Sequence, residues 1–229
     1  MALEPLLYAN IPGLTESQAA AFSNYCALLL DWNNRMNLTA ILEPSEIVQK
    51  HFADSLLPAG LLPQGARVID VGTGAGFPGV PLRILRPDLK LTLLDSLKKR
   101  VGFLNALCGG LGLGDVTILH ARAEDGGRDP ALRGAFDIAL SRAVAPCPVL
   151  LELTVPFLRA GGLSLMYKGP QAQAELAGAG RALRLLNCRA RLEAFPAPWG
   201  ERFIILAEKL GETPAAYPRK AGTPSKSPL

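Results

Sequence analysis

The sequence predicts an α/β protein with a doubly wound, mainly parallel sheet, a C-terminal antiparallel hairpin and a small N-terminal helical region. Three observations support this prediction. Apolar residues recur at helical spacing within about the first 62 residues. Strand and helix patterns then alternate from residue 67 onwards. The last two strand patterns follow one another with only a short segment containing Pro and Gly between them.

Residues 1–62 form the predicted N-terminal helical region. Thr15, followed three residues later by a glutamine, is typical of a capping box at a helix start. The apolar stretch 19–32 continues this helix at the expected spacing. A second helix is expected to begin near Pro44, because proline suits the first helical turn, and to end near Pro58.

Residues 63–210 form the predicted α/β domain. The expected parallel strands are 67–71, 90–95, 116–121, 136–141 and 162–168. The expected helices are 79–86, 98–111, 148–157 and 172–186. The expected hairpin strands are 188–194 and 202–209, which are antiparallel because no helix separates them.

The most informative motif is a glycine-rich loop that directly follows the first predicted strand. Asp70 stands near the end of that strand, and Gly72 and Gly74 begin a run of four glycines that ends at Gly79. Glycine allows positive φ and lets a ligand approach the backbone closely, and the helix after the loop offers its N-terminal N–H groups. Strand, glycine loop and helix in this order predict a cofactor site on a Rossmann-like sheet.

Two cofactor classes compete for this loop. Residues 74–79 satisfy the dinucleotide pattern G-x-G-x-x-G, and Asp95 follows Gly76 by nineteen residues. Asp70 discriminates between the two classes, because a carboxylate next to a pyrophosphate is repelled. S-adenosylmethionine carries a sulfonium and an ammonium group and no phosphate. We therefore predict that Asp70, Gly72 and Gly74 bind S-adenosylmethionine, which leaves as S-adenosylhomocysteine.

Two further strand ends contribute expected cofactor contacts. Asp95 and Ser96 end the second strand, where an acid accepts hydrogen bonds from ribose hydroxyls. Either residue is also suited to cap the helix that follows. Ala123 and Glu124 follow the third strand, where a backbone N–H and a side-chain acceptor can contact an adenine edge. An exposed acidic turn is the alternative interpretation of these two residues.

The end of the fourth strand limits the possible acceptor chemistry. Residues 141–144 read Ser-Arg-Ala-Val and lack the Asn or Asp followed by Pro-Pro and an aromatic that methylation of exocyclic amines requires. Cys147 is the one candidate nucleophile for methylation of a pyrimidine carbon, and we favour a buried or incidental thiol instead. A purine N7 carries an exposed lone pair and no proton, so positioning suffices. No general base is expected.

Arg142 is the predicted catalytic residue, acting by positioning and electrostatics. It stands at the carboxyl end of a parallel strand, where α/β sheets place ligands. Its candidate partners are the cofactor carboxylate, a target phosphate and guanine O6. If Arg142 has only a structural role, its expected partner is a nearby acid, either Glu124 or Asp70. Lys168 ends the fifth strand at the same edge and is expected either to contact phosphate or to be solvated.

Charge and composition narrow the class of protein. The net charge is +4 and the pI about 9.0, and residues 209–229 hold four basic residues against one acid. The basic tail 211–229 is either solvated and partly disordered or lies along phosphate. No apolar run of membrane-spanning length, secretory signal or zinc-ligand spacing occurs. We expect a cytoplasmic, reduced protein without membrane or metal partners.

Several separated motifs, in this order along the chain, resemble the GidB (RsmG) family of small-subunit rRNA methyltransferases. They are Trp-Asn at 32–33 and Asn-Leu-Thr-Ala at 37–40, Lys-His at 50–51 and Asp-Ser-Leu at 54–56, Asp-Val-Gly-Thr-Gly-Ala-Gly-Phe-Pro-Gly at 70–79 and Pro-Leu at 81–82, Leu-Asp-Ser at 94–96 and Lys-Arg at 99–100, Arg-Ala-Glu-Asp at 122–125, Ser-Arg-Ala-Val-Ala at 141–145, Lys-Gly at 168–169, and Tyr-Pro-Arg-Lys at 217–220 with Gly-Thr-Pro at 222–224.

The resemblance implies a Rossmann-like class I methyltransferase and a specific reaction. Family members methylate N7 of a guanosine in the 530 loop (nucleotide 527) of bacterial 16S rRNA. We therefore expect 16S rRNA as the partner, within the 30S subunit or a late assembly intermediate. The chain itself is expected to act as a monomer.

The resemblance also implies which residues contact the ligands. The family motifs place the S-adenosylmethionine site at Gly72, Phe77, Asp95, Ser96, Leu97, Ala123, Glu124 and Arg142. Residues expected to bind RNA are Lys50, Lys168, Arg219, Lys220 and Lys226. The motif around Lys50 is expected to roof the cleft from the N-terminal helices. Two roles are possible for His51, namely a structural hydrogen bond and a contact with RNA.

Overall fold

The computed structural model describes residues 3–229 as a seven-stranded sheet with helices on both faces. The strand order is β3-β2-β1-β4-β5-β7-β6. Strands β1 to β5 are parallel, and β7 runs antiparallel to both β5 and β6, which confirms the predicted sheet and hairpin. The strands are β1 (Arg67–Val71), β2 (Lys90–Asp95), β3 (Val116–His120), β4 (Phe136–Arg142), β5 (Leu158–Lys168), β6 (Cys188–Phe195) and β7 (Arg202–Lys209).

The helices form the N-terminal region and the connections between strands. Before β1 lie α1 (Glu4–Asn10), α2 (Glu16–Asn33), α3 (Pro44–Ile47), a π-helical segment (Val48–Ala53), α4 (Asp54–Leu56) and a 3-10 turn (Ala59–Leu61). The later helices are α5 (Gly79–Leu85), α6 (Lys98–Gly110), α7 (Ala123–Gly126), α8 (Cys147–Thr154), the 3-10 turn Val155–Phe157, α9 (Ala172–Ala177), α10 (Gly180–Leu185) and α11 (Thr223–Lys226). No helix within residues 3–229 is long and apolar enough to cross a membrane.

Alternation along the strands divides the core between the two faces of the sheet. On β7, Ile204 and Leu206 join the cluster that contains the N-terminal helices, whereas Ile205 and Ala207 join the cluster of α8, α9 and α10. This follows from the two-residue period of a strand. Burial on both faces makes the interior strands almost continuously apolar, which is typical of parallel sheets.

Local signals predicted most element boundaries, with three differences. The capping box is present, because Thr15 accepts a hydrogen bond from the Gln18 N–H and the Gln18 side chain accepts one from Thr15. The helix predicted at 172–186 is divided at Gly178, since glycine weakens a helix interior. The helix from Pro44 contains the π-helical turn, and β5 begins at Leu158, four residues earlier than predicted.

The C-terminal strap, residues 211–229, is anchored to the domain, although many of its side chains are exposed. Arg133 donates hydrogen bonds to the carbonyls of Thr213 and Tyr217 at 2.7 and 2.8 Å. Glu152 on α8 is fully buried and accepts hydrogen bonds from the backbone N–H and the guanidinium of Arg219 at 2.6 to 3.1 Å. A buried carboxylate requires such a partner, so Arg219 fastens the strap to the domain.

We expect Arg219→Ala to destabilise the fold by roughly 2–4 kcal/mol, because it leaves the Glu152 carboxylate buried without its cation. Urea unfolding measures this change in free energy. Arg189→Ala is the matched control: its pair with Glu208 is 71% exposed on the arginine side, and its loss should change stability by less than about 1 kcal/mol. Equal effects of the two substitutions would contradict the anchoring role of Arg219.

Candidate functional site

Asp70 holds the glycine loop in place from beneath. Its side chain is fully buried, and Oδ2 accepts hydrogen bonds from the Thr73 hydroxyl at 2.7 Å and the Gly79 N–H at 2.8 Å. Burial raises the pKa of Asp70 to about 6, against the lowering effect of these hydrogen bonds. The carboxylate therefore lies behind the loop and does not line the cavity in front of it. In this structure Asp70 positions the loop, and its predicted contact with the cofactor stays a prediction.

Glycine is required at two positions of this loop. Gly72 has φ +71°, and a Cβ there would lie 2.9 Å from Cγ2 of Val144. Gly76 has φ +95°, and a Cβ there would lie 2.7 Å from the Tyr25 hydroxyl. Positive φ and close approach both exclude larger side chains. Glycine therefore lets the loop pass close to Val144 after β4 at Gly72 and close to Tyr25 on α2 at Gly76.

A cavity opens between the carboxyl ends of β1, β2, β3 and β4, the edge of the sheet that the sequence predicted. Five of the predicted cofactor residues line it: Gly72, Asp95, Ser96, Ala123 and Glu124. Its other lining residues are Val71, Leu94, Ala121, Arg122, Val144, Ala145, Leu153 and Ser225. Five of these eight lie within the family motifs given above, but nothing in the local sequence pointed to Leu153 or Ser225.

Asp95 connects the cavity to both loops that border it. Its Oδ2 accepts a hydrogen bond from the Gly74 N–H and its Oδ1 accepts one from the Leu97 N–H, each at 2.9 Å. Leu97 is the N-cap residue of α6 and no side chain caps this helix, so the alternative that Asp95 or Ser96 caps it was wrong. Gly74 and Leu97 do not line the cavity themselves and are connected to its wall by these hydrogen bonds to Asp95.

Glu124 is buried at the opposite side of the same cavity. Its Oε1 accepts hydrogen bonds from the Gly222 N–H at 2.7 Å and from Arg122 at 3.5 Å. Burial alone raises the pKa of Glu124, but these hydrogen bonds outweigh it and leave the pKa below its usual value. Glu124 is therefore an ionised acceptor at neutral pH, as the predicted contact with an adenine amino group requires.

Arg142 lies next to a second cleft and not in the first cavity. Its Nη1 is 3.3 Å from Oδ2 of Asp54, and its guanidinium lies 4.9 Å from the ring centre of Phe77. Neither Glu124 nor Asp70, the two acids considered from the sequence, pairs with it. Phe77 is buried between the rings of Tyr25 and His51, at 5.2 and 4.6 Å, so it supports the cleft from below.

His51 makes structural hydrogen bonds in this position. Arg142 Nη2 lies 3.3 Å from its Nδ1, and Thr39 Oγ1 lies 2.7 Å from its Nε2. Because an arginine can only donate, Nδ1 is the acceptor and Nε2 carries the proton donated to Thr39. Burial, with the charge of Arg142, lowers the pKa of His51 to about 4. The ring is neutral at physiological pH.

The second cleft is separated from the first cavity by the segment that begins at Ala143. Its volume is about 340 Å³, within the range of roughly 300–1,000 Å³ typical of small-molecule sites. It is lined by Asp54, Leu57, Arg142, Ala143, Tyr167, Lys168, Gly169, Glu175, Arg202, Phe203 and Ile204. Lys168 forms an ion pair with Glu175 and donates to the Ala145 carbonyl, both at 2.7 Å. Its ammonium group thus braces the segment between the two cavities.

The remaining residues predicted from the sequence differ in whether their side chains are free to react or to contact RNA. Cys147 is fully buried, and burial raises its pKa to about 11, so a nucleophilic thiolate is disfavoured. Lys50 pairs with Glu46 on the helix surface. Lys220 and Lys226 are exposed on the strap and form no ion pair with any residue in 3–229.

The first cavity fits S-adenosylmethionine in its chemistry. The Gly72 backbone forms one wall without a side chain, and the carboxylates of Asp95 and Glu124 lie at two separated points of the wall. Asp70 adds a buried carboxyl behind the loop, which favours a cationic ligand in front of it. Two carboxylates in the cavity wall and a third carboxyl behind the loop would repel the phosphates of a dinucleotide, so the charges favour the cationic cofactor.

Comparison with known proteins agrees with the site. Residues 18–195 match the GidB family, described as rRNA small subunit methyltransferase G. Ribosomal RNA small subunit methyltransferase G of Desulfitobacterium hafniense (strain Y51) is 50% identical over 219 residues, covering 94% of this chain and 91% of that protein. The protein of the same name from Lactococcus lactis subsp. lactis (strain IL1403) is 48% identical over 221 residues, covering 94% and 93%.

Among solved structures, the fold is similar to that of an O-methyltransferase from Bacillus cereus in complex with S-adenosylhomocysteine. The TM-score is 0.59 at 17% identity, and the match covers 88% of this chain and 94% of that one. This similarity shows the fold of S-adenosylmethionine-dependent methyltransferases. The match to the family model over most of the chain and the identity to these relatives show that the chain belongs to the GidB family of small-subunit rRNA methyltransferases.

Proposed function

We propose that this enzyme transfers the methyl group of S-adenosylmethionine to N7 of the guanosine at nucleotide 527, in the 530 loop of 16S rRNA. The observation that carries the proposal is the adjacency of the two cavities. Ala143 lines the Arg142 cleft, and the next two residues, Val144 and Ala145, line the cofactor cavity, so the two cavities lie on either side of this short segment. The relatives' name supports small-subunit rRNA as the acceptor.

The residues of the first cavity hold the cofactor in this proposal. Asp95 accepts hydrogen bonds from the ribose hydroxyls, and Ala123 with Glu124 contacts the adenine edge. The Gly72 backbone allows close approach at the amino-acid end. When bound, S-adenosylmethionine supplies an electrophilic methyl group, and the protein's part is to orient it towards the second cleft.

The second cleft positions the guanine. The Arg142 guanidinium is held in direction by Asp54 and His51, and it is suited to donate a hydrogen bond to guanine O6. The purine becomes positively charged as N7 is methylated. A second cation beside Arg142 would repel this developing positive charge. Because His51 is neutral, it adds no such repulsion. No proton leaves N7, so catalysis requires positioning and no general base.

Exposed lysines are the proposed RNA contacts. Lys220 and Lys226 on the strap are exposed, and Lys50 is partly exposed beside Glu46. Arg219 and Lys168 are occupied by Glu152 and Glu175, so in this proposal they shape the RNA-facing surface instead of neutralising phosphate. We further propose a cytoplasmic monomer that acts on the 30S subunit or a late assembly intermediate.

Methyl transfer to ribosomal subunits tests the proposal directly. Labelled S-adenosylmethionine is incubated with 30S subunits from a strain that lacks this enzyme, and the product is mapped by nuclease digestion. We expect a single 7-methylguanosine, in the 530 loop. Label at another nucleotide would refute the proposed site, and absence of label from RNA would refute the proposed acceptor.

Asp95→Ala is expected to weaken S-adenosylmethionine binding by about 1–3 kcal/mol, because the ribose hydroxyls lose their acceptor. Isothermal titration calorimetry measures the affinity, with the melting temperature checking that the variant is folded. Asp31→Ala, which removes an exposed aspartate on α2, is the matched control. Equal affinities for the two variants would rule out the assigned role of Asp95.

The rate of methyl transfer is expected to be independent of pH between 7 and 8.5. The pKa of His51 is about 4, that of Asp70 about 6 and that of Cys147 about 11, so none of these groups titrates within that range. Single-turnover rates across the range provide the measurement. A rate that rises about tenfold per pH unit would instead indicate an essential general base.

Lys220→Ala combined with Lys226→Ala should lower the salt dependence of RNA binding, with the logarithmic slope falling by about two for two lost phosphate contacts. Point substitutions are preferable to truncation because they leave the Arg219 anchor intact. Lys90→Ala, an exposed lysine at the opposite edge of the sheet, is the control. An unchanged slope in the double variant would mean that the strap lysines remain solvated.

A further inference from the structure

We propose that the C-terminal strap forms part of the cofactor site, with Ser225 in contact with bound S-adenosylmethionine, so that docking of the strap and binding of the cofactor stabilise each other. The proposal rests on the proposed function only in taking S-adenosylmethionine as the ligand of the first cavity. It extends the site to a segment that is distant in sequence from every strand end that forms the rest of the wall.

The first supporting observation is the position of Ser225. This residue lines the cavity together with Asp95, Ser96 and Glu124, although the strap follows the last strand of the sheet. Its side chain is exposed, since one side faces the open cavity. The neighbouring Pro224 is buried against the domain, so the backbone at Ser225 is held at the cavity edge.

The second observation is a direct bond between the strap and a predicted cofactor residue. The Gly222 N–H donates to Oε1 of Glu124 at 2.7 Å, and Gly222 has φ +81°, which favours glycine at this position. The carboxylate proposed to contact adenine is thus oriented by the strap. Removing the strap would leave Glu124 without this donor and free to change its direction.

The third observation is that the strap is anchored to the helix that forms the opposite wall. Arg219 pairs with the fully buried Glu152 on α8, and the next residue, Leu153, lines the cavity. Two fixed points, at Arg219 and Gly222, therefore place Ser225 relative to the cavity. Arg219 also donates a hydrogen bond to the Ser227 carbonyl at 2.8 Å, so the chain is held on both sides of Ser225, at Gly222 and at Ser227.

A thermodynamic consequence follows from this arrangement. A ligand that contacts the docked strap binds the docked state more tightly than the undocked state, and so shifts the equilibrium towards docking. Coupling of this kind is reciprocal. Contacts of RNA with Lys220 and Lys226 would then strengthen cofactor binding by the same factor by which the cofactor strengthens RNA binding.

Substitution of Ser225 tests the contact. Ser225→Phe places a large side chain at the cavity edge, and we expect at least a tenfold weaker affinity for S-adenosylhomocysteine by calorimetry. Ala215→Phe, which adds the same bulk at an exposed strap position outside the cavity wall, should leave the affinity within about twofold. Equal affinities of Ser225→Phe and the wild type would overturn the proposal.

Limited proteolysis of the unmodified protein tests the coupling. Trypsin cleaves after Lys220 and Lys226, and saturating S-adenosylhomocysteine should slow cleavage at these two sites at least fivefold relative to cleavage after Arg189. Unchanged relative rates would overturn the coupling even if the protein binds the ligand and methylates RNA. Wild-type protein that does not bind S-adenosylhomocysteine at all would instead refute the proposed function, and this proposal with it.

Discussion

The carboxylate of Asp54 accepts hydrogen bonds from three side chains that belong to different parts of the fold. Arg142 reaches it from the end of β4, Trp199 from the connection between β6 and β7, and Arg202 from the start of β7, at 3.3, 3.2 and 2.7 Å. Asp54 itself lies at the start of α4 and is almost fully buried. Because a buried carboxylate is costly unless it is paired, the helical region, the sheet and the hairpin are held together at this point, and the cleft opens beside it.

The cofactor side of the molecule follows the same physical rule. Asp70, Asp95, Glu124 and Glu152 are all buried carboxyl groups, and each accepts hydrogen bonds from the backbone. These bonds determine where the glycine loop, the start of α6 and the strap lie. The negative groups thus shape the loops of the site and also make it favourable for a cationic ligand. Loop positions and ligand preference therefore arise from the same residues.

Sequence patterns located the cavity well but often assigned the wrong partner to a side chain. Gly72, Asp95 and Glu124 line one cavity, as expected because the ends of parallel strands meet at one edge of the sheet. Asp70 and Phe77 lie in the same motif but point beneath the loop. Whether a residue of a tight turn faces the ligand or the core depends on backbone dihedral angles, and spacing along the chain does not determine these.

The sequence by itself determined the strand and helix pattern, the loop with its glycines and the family, because these depend on neighbouring residues and on their order. Only the tertiary structure decided that Arg142 pairs with Asp54, that Arg219 pairs with Glu152 and that Ser225 reaches the cavity. These contacts join residues that lie 67 or more positions apart. Each arginine pairs with a carboxylate that becomes buried beside it when the elements pack. Which carboxylates become buried there is decided by the packing and not by the local sequence.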